Sequence, residues 1–226
     1  MIRFTLDGAA VQAAPGETIW QAARRAGVAI PHLCHLPRPG YRPDGNCRAC
    51  LVEIEGERVL AASCIRAPRE GMVVRREASA RARAARRMVF ELLLADAEPR
   101  DATGGFAQWA ARLGVSASRF PREPAWPAPD LSHPAMAVQL DACIQCGLCE
   151  RACREVQHND VIGLAGRGMA TRVAFDLEDP MGESSCVACG ECVQACPTGA
   201  LLPASVLDAL GRRGAPAERA VASVCP

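Results

Sequence analysis

The chain has 226 residues with 26 basic and 25 acidic side chains, a formal net charge of +1, and 13 cysteines. That balance gives no general pull toward nucleic acid or an anionic membrane. Every one of the 26 basic residues is arginine, so a lysine Schiff base or phosphate-loop lysine is excluded. No apolar run approaches the roughly 18 residues that a membrane helix needs, so no membrane span is expected.

The N-terminus opens on a strand-like alternation, Ile2-Arg3-Phe4-Thr5-Leu6, rather than on the apolar core of a secretory leader. Asp7-Gly8 is a type I′ hairpin signal, and residues 9–13 return as the second strand. Residues 17–27 read as a helix with Ile19, Trp20, Ala23 and Ala26 on one side and Gly27 as its stop. Trp20 is expected in the core. Residues 50–55 and 58–61 are expected to pair as strands across Gly56, and residues 72–76 supply another. Strand–strand–helix–loop–strands is the order of a β-grasp fold.

The loop of this unit carries Cys34, Cys47, Cys50 and Cys64, spaced C-x12-C-x2-C-x13-C. Plant-type [2Fe–2S] ferredoxins use C-x4-C-x2-C followed by a distant Cys. The first gap here is longer and the last shorter, but the two-residue centre is kept. A zinc ribbon is the competing reading. Gly40, Gly45 and the prolines at 37, 39 and 43 suit a loop folded closely over a cluster. His32 and His35 flank Cys34; with four thiols present, both are expected beside the ligands or on the surface rather than as ligands.

Residues 77–96 read as one helix, with Met88, Leu92 and Ala95 on one face and Val89 and Leu93 beside it. The basic stretch from 75 to 87 is read as a solvated helix face, with a dock for an acidic partner as the alternative. A short helix at 106–113 and a proline-rich connector from 121 to 134 follow. Trp109 and Trp126 are expected as anchors.

Two cysteine ladders then repeat one spacing, C-x2-C-x2-C-x3-C: Cys143, Cys146, Cys149 and Cys153, then Cys186, Cys189, Cys192 and Cys196, the last followed by Pro197. Two-residue gaps let a tight loop bring three short thiolate arms to three corners of a cubane while amides turn toward its sulfides. In two-cluster ferredoxins the fourth Cys ligates the other cluster. One [4Fe–4S] cluster is therefore assigned to Cys143, Cys146, Cys149 and Cys196, and the other to Cys186, Cys189, Cys192 and Cys153. Gly147 and Gly190 would leave room for amides to approach. A zinc knuckle is the weaker reading of a single C-x2-C. Closely spaced C-x2-C groups point to metal and to the cytoplasm rather than to disulfides.

Residues 161–164 and 172–175 read as a hairpin around Gly166-Arg167-Gly168, which is not a dinucleotide-binding pattern. His158 is expected on the surface or near a cluster. Residues 204–210 form a short helix. The expected fold class is α+β: a β-grasp [2Fe–2S] ferredoxin-like domain (1–78), a helical and proline-rich connector (79–135), a 2×[4Fe–4S] bacterial ferredoxin-like domain (136–202) and a tail (203–226). Twelve cysteines fill three clusters, and Cys225 is left over as a free thiol.

His32-Leu33-Cys34-His35-Leu36-Pro37-Arg38-Pro39 followed by Gly45-Asn46-Cys47-Arg48-Ala49-Cys50-Leu51-Val52-Glu53-Ile54 resembles the [2Fe–2S] domain of three related subunits. These are the large iron–sulfur subunit of respiratory complex I, the diaphorase subunit of NAD-reducing hydrogenases, and the α subunit of soluble NAD-dependent, molybdenum-containing formate dehydrogenases. The first two carry a His-plus-three-Cys [4Fe–4S] motif where residues 96–105 here have neither His nor Cys. His133-Pro134-Ala135-Met136-Ala137-Val138 before the first ladder, and Asp179-Pro180-Met181-Gly182-Glu183-Ser184 before the second, resemble the formate dehydrogenase subunit most. That subunit continues into its molybdenum-binding part near the position of Cys225. The resemblance implies a molybdopterin-containing subunit or domain that oxidises formate and an FMN/NAD-binding diaphorase partner, with no catalytic site in these residues. The expected function is electron relay between them; a hydrogenase diaphorase module and a structural zinc-binding interaction module are the alternatives.

Overall fold

The computed structural model describes residues 1–98, 104–121, 127–208, 211 and 214. Trp126, Cys225 and the end of the expected helix at 204–210 lie outside the described residues, as do residues 99–103 of the segment expected to lack a cluster motif.

Strands β1 (Ile2–Leu6) and β2 (Ala9–Ala13) pair antiparallel across Asp7 and Gly8. Both turn residues have positive φ, +50° and +87°, as a type I′ turn demands. Helix α1 (Ile19–Arg25) starts from a reciprocal capping box between Thr18 and Gln21 and buries Ile19, Trp20, Ala22 and Ala23. Gly27, at φ +76°, turns the chain just past the helix end.

β3 (Leu51–Ile54), β4 (Ala61–Ala62) and β5 (Val73–Arg75) complete a mixed sheet in the order β2-β1-β5-β3-β4, with β1 and β5 parallel. The expected strand at 58–61 is a correction. The amide of Glu57 turns back onto the Ile54 carbonyl, residues 58–60 stay out of the sheet, and only Ala61 and Ala62 pair with Val52 and Leu51.

Helix α2 (Ala80–Asp96) is capped by Ser79, whose Oγ accepts from the Ala82 amide. Its buried residues are Ala82, Arg86, Phe90 and Ala95, whereas Leu92 is 46% exposed, so the inward face is rotated from the one expected around Met88 and Leu92. In the arginine-rich stretch Arg81, Arg83 and Arg87 are exposed, as a solvated face requires, and Arg86 alone is buried. Arg75 pairs with Glu55, Arg76 with Asp7 and Arg86 with Glu77, while Arg81, Arg83 and Arg87 donate to the carbonyls of Arg58, Glu77 and Gly114. The arginines stitch α2 to its own chain. Helix α3 (Gly105–Leu113) ends at Gly114 in the left-handed conformation and packs Phe106 against Phe90, ring centroids 5.2 Å apart.

The C-terminal unit is small and loop-rich. β6 (Met136–Val138) pairs with β9 (Leu201–Pro203), closing its two ends. Between them lie α4 (Leu148–Arg151), the hairpin of β7 (Ile162–Ala165) and β8 (Arg172–Phe175), and α5 (Glu191–Ala195). The expected hairpin is present. α4 runs on into a π-helical turn over Ala152–Val156, which carries Cys153. A 3₁₀ turn at Ala204–Val206 stands where a helix from 204 was expected.

Two hydrophobic cores result. One, under the five-stranded sheet, includes Phe4, Leu6, Ile19, Trp20, Val52 and Val74. The other gathers Leu33 and Tyr41 of the N-terminal loop, Phe90 and Phe106 of the connector, and Met136, Leu148, Phe175 and Leu201 of the C-terminal unit. Each such fully buried aromatic or aliphatic side chain contributes about 1.5–3 kcal/mol, so the second core binds the two cysteine-bearing units together.

Candidate iron–sulfur centres

The four N-terminal cysteines sit at the seam of the two cores. Cys50 and Cys64 belong to the core under the sheet, and Cys34 and Cys47 to the core shared with the C-terminal unit. All four are buried and unpaired by disulfide. The amides of Cys34 and Cys47 each donate to the other's sulfur at 3.4 Å. Sulfur contacts with Cys47 and Cys64, together with the amides of Cys47 and Asn46, hold the Cys34 thiol far below its ordinary range, at about 2, against the upward pull of burial. Contact with Cys64 and donors from the 63–64 turn bring Cys50 down to about 7, despite the burial that opposes them. Contact with Cys34 pushes Cys47 up, and contact with Cys34 and Cys50 pushes Cys64 up. The charge state of each of these four thiols therefore depends on that of its neighbours.

His32 and His35 both stack edge-on against Trp20, at 4.6 and 4.5 Å between ring centroids. Burial holds the imidazolium of His35 down at about 4 and lowers that of His32. His35 is 4% exposed and its Nδ1 is buried with no partner among the described residues. Trp20 is core as expected, with its indole N–H on the Ile30 carbonyl at 3.1 Å.

In the C-terminal unit the two ladders repeat their local geometry as well as their spacing. The Gln145 amide donates to Cys143 Sγ at 3.4 Å, and the Ala188 amide donates to Cys186 Sγ at 3.4 Å. Gln145 and Ala188 have φ of +51° and +58°, and Arg48 in the N-terminal C-x2-C has +57°. A side chain in this region costs on the order of 1–3 kcal/mol. The return is an amide turned inward, toward the sulfurs. Sequence reading missed this device, because it looks for such conformations at glycine. Gly147 and Gly190, at +70° and +74°, then start α4 and α5 from left-handed caps. For Gly190 the requirement is conformational rather than spatial, since a Cβ there would meet nothing within 4 Å.

Cys143, Cys146, Cys149 and Cys196 line one small cavity, walled by Leu140, Ile144, Val173, Pro197 and Leu201. Three come from the first ladder and one from the second. Burial, with a smaller push from the charge of Cys196, raises the thiols of Cys146 and Cys149; burial takes Cys143 to about 11. Cys192 is raised to about 12 by burial and then by Cys186, Cys189 and Cys153, so these four share the second neighbourhood. Cys153 Sγ accepts from the Val161 amide at 3.3 Å. The i→i+5 turn that carries Cys153 is wider than an α-turn.

The donor set fits iron–sulfur clusters: soft thiols with inward amides to offset the cluster's negative charge, buried or half-buried except Cys189, which is exposed. Among the described residues no three His, Cys, Asp or Glu side chains converge on a single-ion position. His158 is exposed. His133 is buried with Nδ1 accepting from the amides of Ala135 and Met136, a structural role. No helix among the described residues is long and apolar enough to cross a membrane.

Residues 1–79 match the family model of the 2Fe-2S iron-sulfur cluster binding domain, and residues 139–200 that of the 4Fe-4S dicluster domain. The chain is 36% identical over 212 residues to the HndD subunit of the NADP-reducing hydrogenase of Solidesulfovibrio fructosivorans, covering 89% of this chain and 36% of the relative. It is 35% identical over 212 residues to an NADH-quinone oxidoreductase subunit of Rhizobium meliloti, covering 89% of this chain and 24% of that protein. It therefore spans only about a quarter to a third of these curated relatives. A chain of the crystal structure of an NAD+-reducing [NiFe]-hydrogenase in the H2-reduced state superposes with a TM-score of 0.79 at 31% identity, covering 89% of this chain and 87% of that one. The chain thus belongs to the family of iron–sulfur electron-transfer modules, a 2Fe-2S domain followed by a 4Fe-4S dicluster domain, found in complex I-like NADH-quinone oxidoreductases and in NAD(P)-reducing hydrogenases.

Proposed function

We propose that the chain relays single electrons between an FMN/NAD-binding diaphorase partner and a second redox subunit, without a catalytic site of its own. One observation carries this reading. Cys34 and Cys47 of the first set lie in one hydrophobic core with Cys146, Cys153 and Cys192 of the other two. We assign Cys34, Cys47, Cys50 and Cys64 to one [2Fe–2S] cluster. The other two sets, each three cysteines of one ladder plus the last of the other, are assigned to two [4Fe–4S] clusters.

When bound, such clusters accept and release one electron each, at potentials set by hydrogen bonds, charge and exposure. The residues of this chain supply those settings. The inward amides of Gln145 and Ala188 offset negative charge at the sulfurs. Leu140, Ile144, Val173 and Leu201 keep water from the Cys143 set. A cleft lined by Arg24, Arg25 and Arg38 opens beside His35 and offers a cationic approach to the N-terminal set.

For the second redox subunit we propose a molybdopterin protein that oxidises formate, in the cytoplasm. The support is the sequence flanking both ladders and the absence of His and Cys between residues 96 and 105. The reading with a hydrogenase partner is favoured by the likeness to the hydrogenase chain over its length. Affinity capture of the tagged chain from its native host distinguishes them. Recovery of a molybdopterin protein supports the first, a nickel–iron or iron-only hydrogenase subunit supports the second, and a zinc-loaded chain without redox partners overturns the relay itself.

A further inference from the structure

We propose that Arg151 is a positioning residue that ties the three ligand sets together and, through its fixed charge, favours their reduced states. The proposal rests on the relay reading and the ligand assignment above. Arg151 lies two residues after Cys149 and two before Cys153, which that assignment places on different [4Fe–4S] clusters. Its guanidinium passes Gly147 and reaches into the N-terminal loop. Nη2 donates to the carbonyl of Cys34, a ligand of the N-terminal set, at 2.7 Å, and Nη1 pairs with Asp44 Oδ2 of the same loop at 2.7 Å. One side chain therefore contacts or adjoins all three sets.

The packing around it is built for this. The side chain is 4% exposed, and its route passes Gly147, where an added Cβ would stand 3.2 Å from Nη1. Asp44 is held from a second side by Arg42, at 2.7 Å, and by Asn46 Nδ2 at 2.7 Å. Arg42 reaches on to Glu155, and Tyr41 donates to Glu191 Oε1 at 2.8 Å, so the loop is pinned to the C-terminal unit at three points. Among the described residues, Arg151 is the cation buried between the ligand loops. Reduction adds one negative charge to a cluster and moves no proton. A fixed cation in a poorly screened interior stabilises that added charge, and a fixed anion opposes it.

The two members of the pair are therefore expected to act in opposite directions, which a purely structural tie would not do. The test is a redox titration of the full chain followed by electron paramagnetic resonance, with Arg151→Gln, Arg151→Lys and Asp44→Asn compared with the unaltered chain. Arg151→Gln is expected to lower the midpoint of the [2Fe–2S] signal, changing its reduced-to-oxidised ratio at fixed potential about tenfold, or about 59 mV for one electron. Arg151→Lys should recover much of that shift, and Asp44→Asn should raise the midpoint. Cluster signals with midpoints unmoved in all three variants, or moved the same way by Arg151→Gln and Asp44→Asn, would overturn this proposal alone. Absence of cluster signals from the unaltered chain would overturn the relay reading and this proposal together. Should Arg151→Gln fail to fold, the upward shift in the more exposed Asp44→Asn variant still decides the matter.

Discussion

Arg86 is the most demanding side chain in the connector, and replacing it with methionine should destabilise the protein sharply. The side chain is fully buried, with Nη1 on the carbonyls of Leu51 at 3.0 Å and Arg76 at 3.2 Å, and Nη2 on Glu77 Oε1 at 2.7 Å. Methionine fills most of the volume but donates nothing. Glu77 is 48% exposed and is rehydrated when its partner goes, so it adds little. The two carbonyls lose hydrogen bonds to a charged donor, about 1.5–3 kcal/mol each. Partial relaxation brings the expected total to about 3 kcal/mol, at the low end for breaking a buried ion pair. For a chain of this size that lowers Tm by roughly 6–12 °C. Arg87→Met, on the exposed side of the same helix, is the control and should stay within about 0.5 kcal/mol. Thermal unfolding followed by circular dichroism measures both. Equal Tm values for the two variants would show that α2 is not held to β3 through Arg86.

The crossed assignment predicts that Cys196→Ser removes the cluster signal of the Cys143, Cys146 and Cys149 set, and Cys153→Ser that of the Cys186, Cys189 and Cys192 set; loss of each variant's own-ladder signal in resonance spectra would refute the crossing. Gly147→Ala forces a side chain into φ +70° and against Arg151 Nη1, so it should cost about 1–3 kcal/mol in denaturant unfolding, whereas a neutral effect would show that α4 can start otherwise. At Asp7, burial works upward, but the amides of Ala78, Glu77 and Arg76 and the Arg76 guanidinium outweigh it and lower the pKa. A depressed folded-state pKa contributes stability present above the unfolded value near 3.8 and lost as pH falls through the folded one. Asp7→Asn should thus be less stable than the parent at pH 6, with the gap closing below about pH 4. A gap independent of pH in tryptophan-monitored unfolding would exclude that linkage.

The ladders were legible because ligation imposes side-chain identity at fixed spacing, and both Cys143–Cys149 and Cys186–Cys192 keep the rule. The β1–β2 hairpin was legible because strand alternation and Asp7-Gly8 agree. What was not legible depends on partners far along the chain. The parallel pairing of β1 with β5 joins residues 5–6 to 73–74, and the Asp7 carboxylate caps the backbone at residues 76–78. A helical wheel places Arg86 on a polar face, because it cannot know that Glu77 and the Leu51 carbonyl wait beneath it. The inward amides of the C-x2-C loops escaped for another reason. Arg48, Gln145 and Ala188 adopt positive φ without being glycine, and nothing in their side chains announces it.

The central claim, that this chain carries three clusters as a one-electron relay, is tested most directly by metal and acid-labile sulfide analysis of the anaerobically isolated protein. One [2Fe–2S] and two [4Fe–4S] clusters predict about ten iron and about ten sulfide per chain. Zinc at one or more per chain with little iron or sulfide would contradict the account.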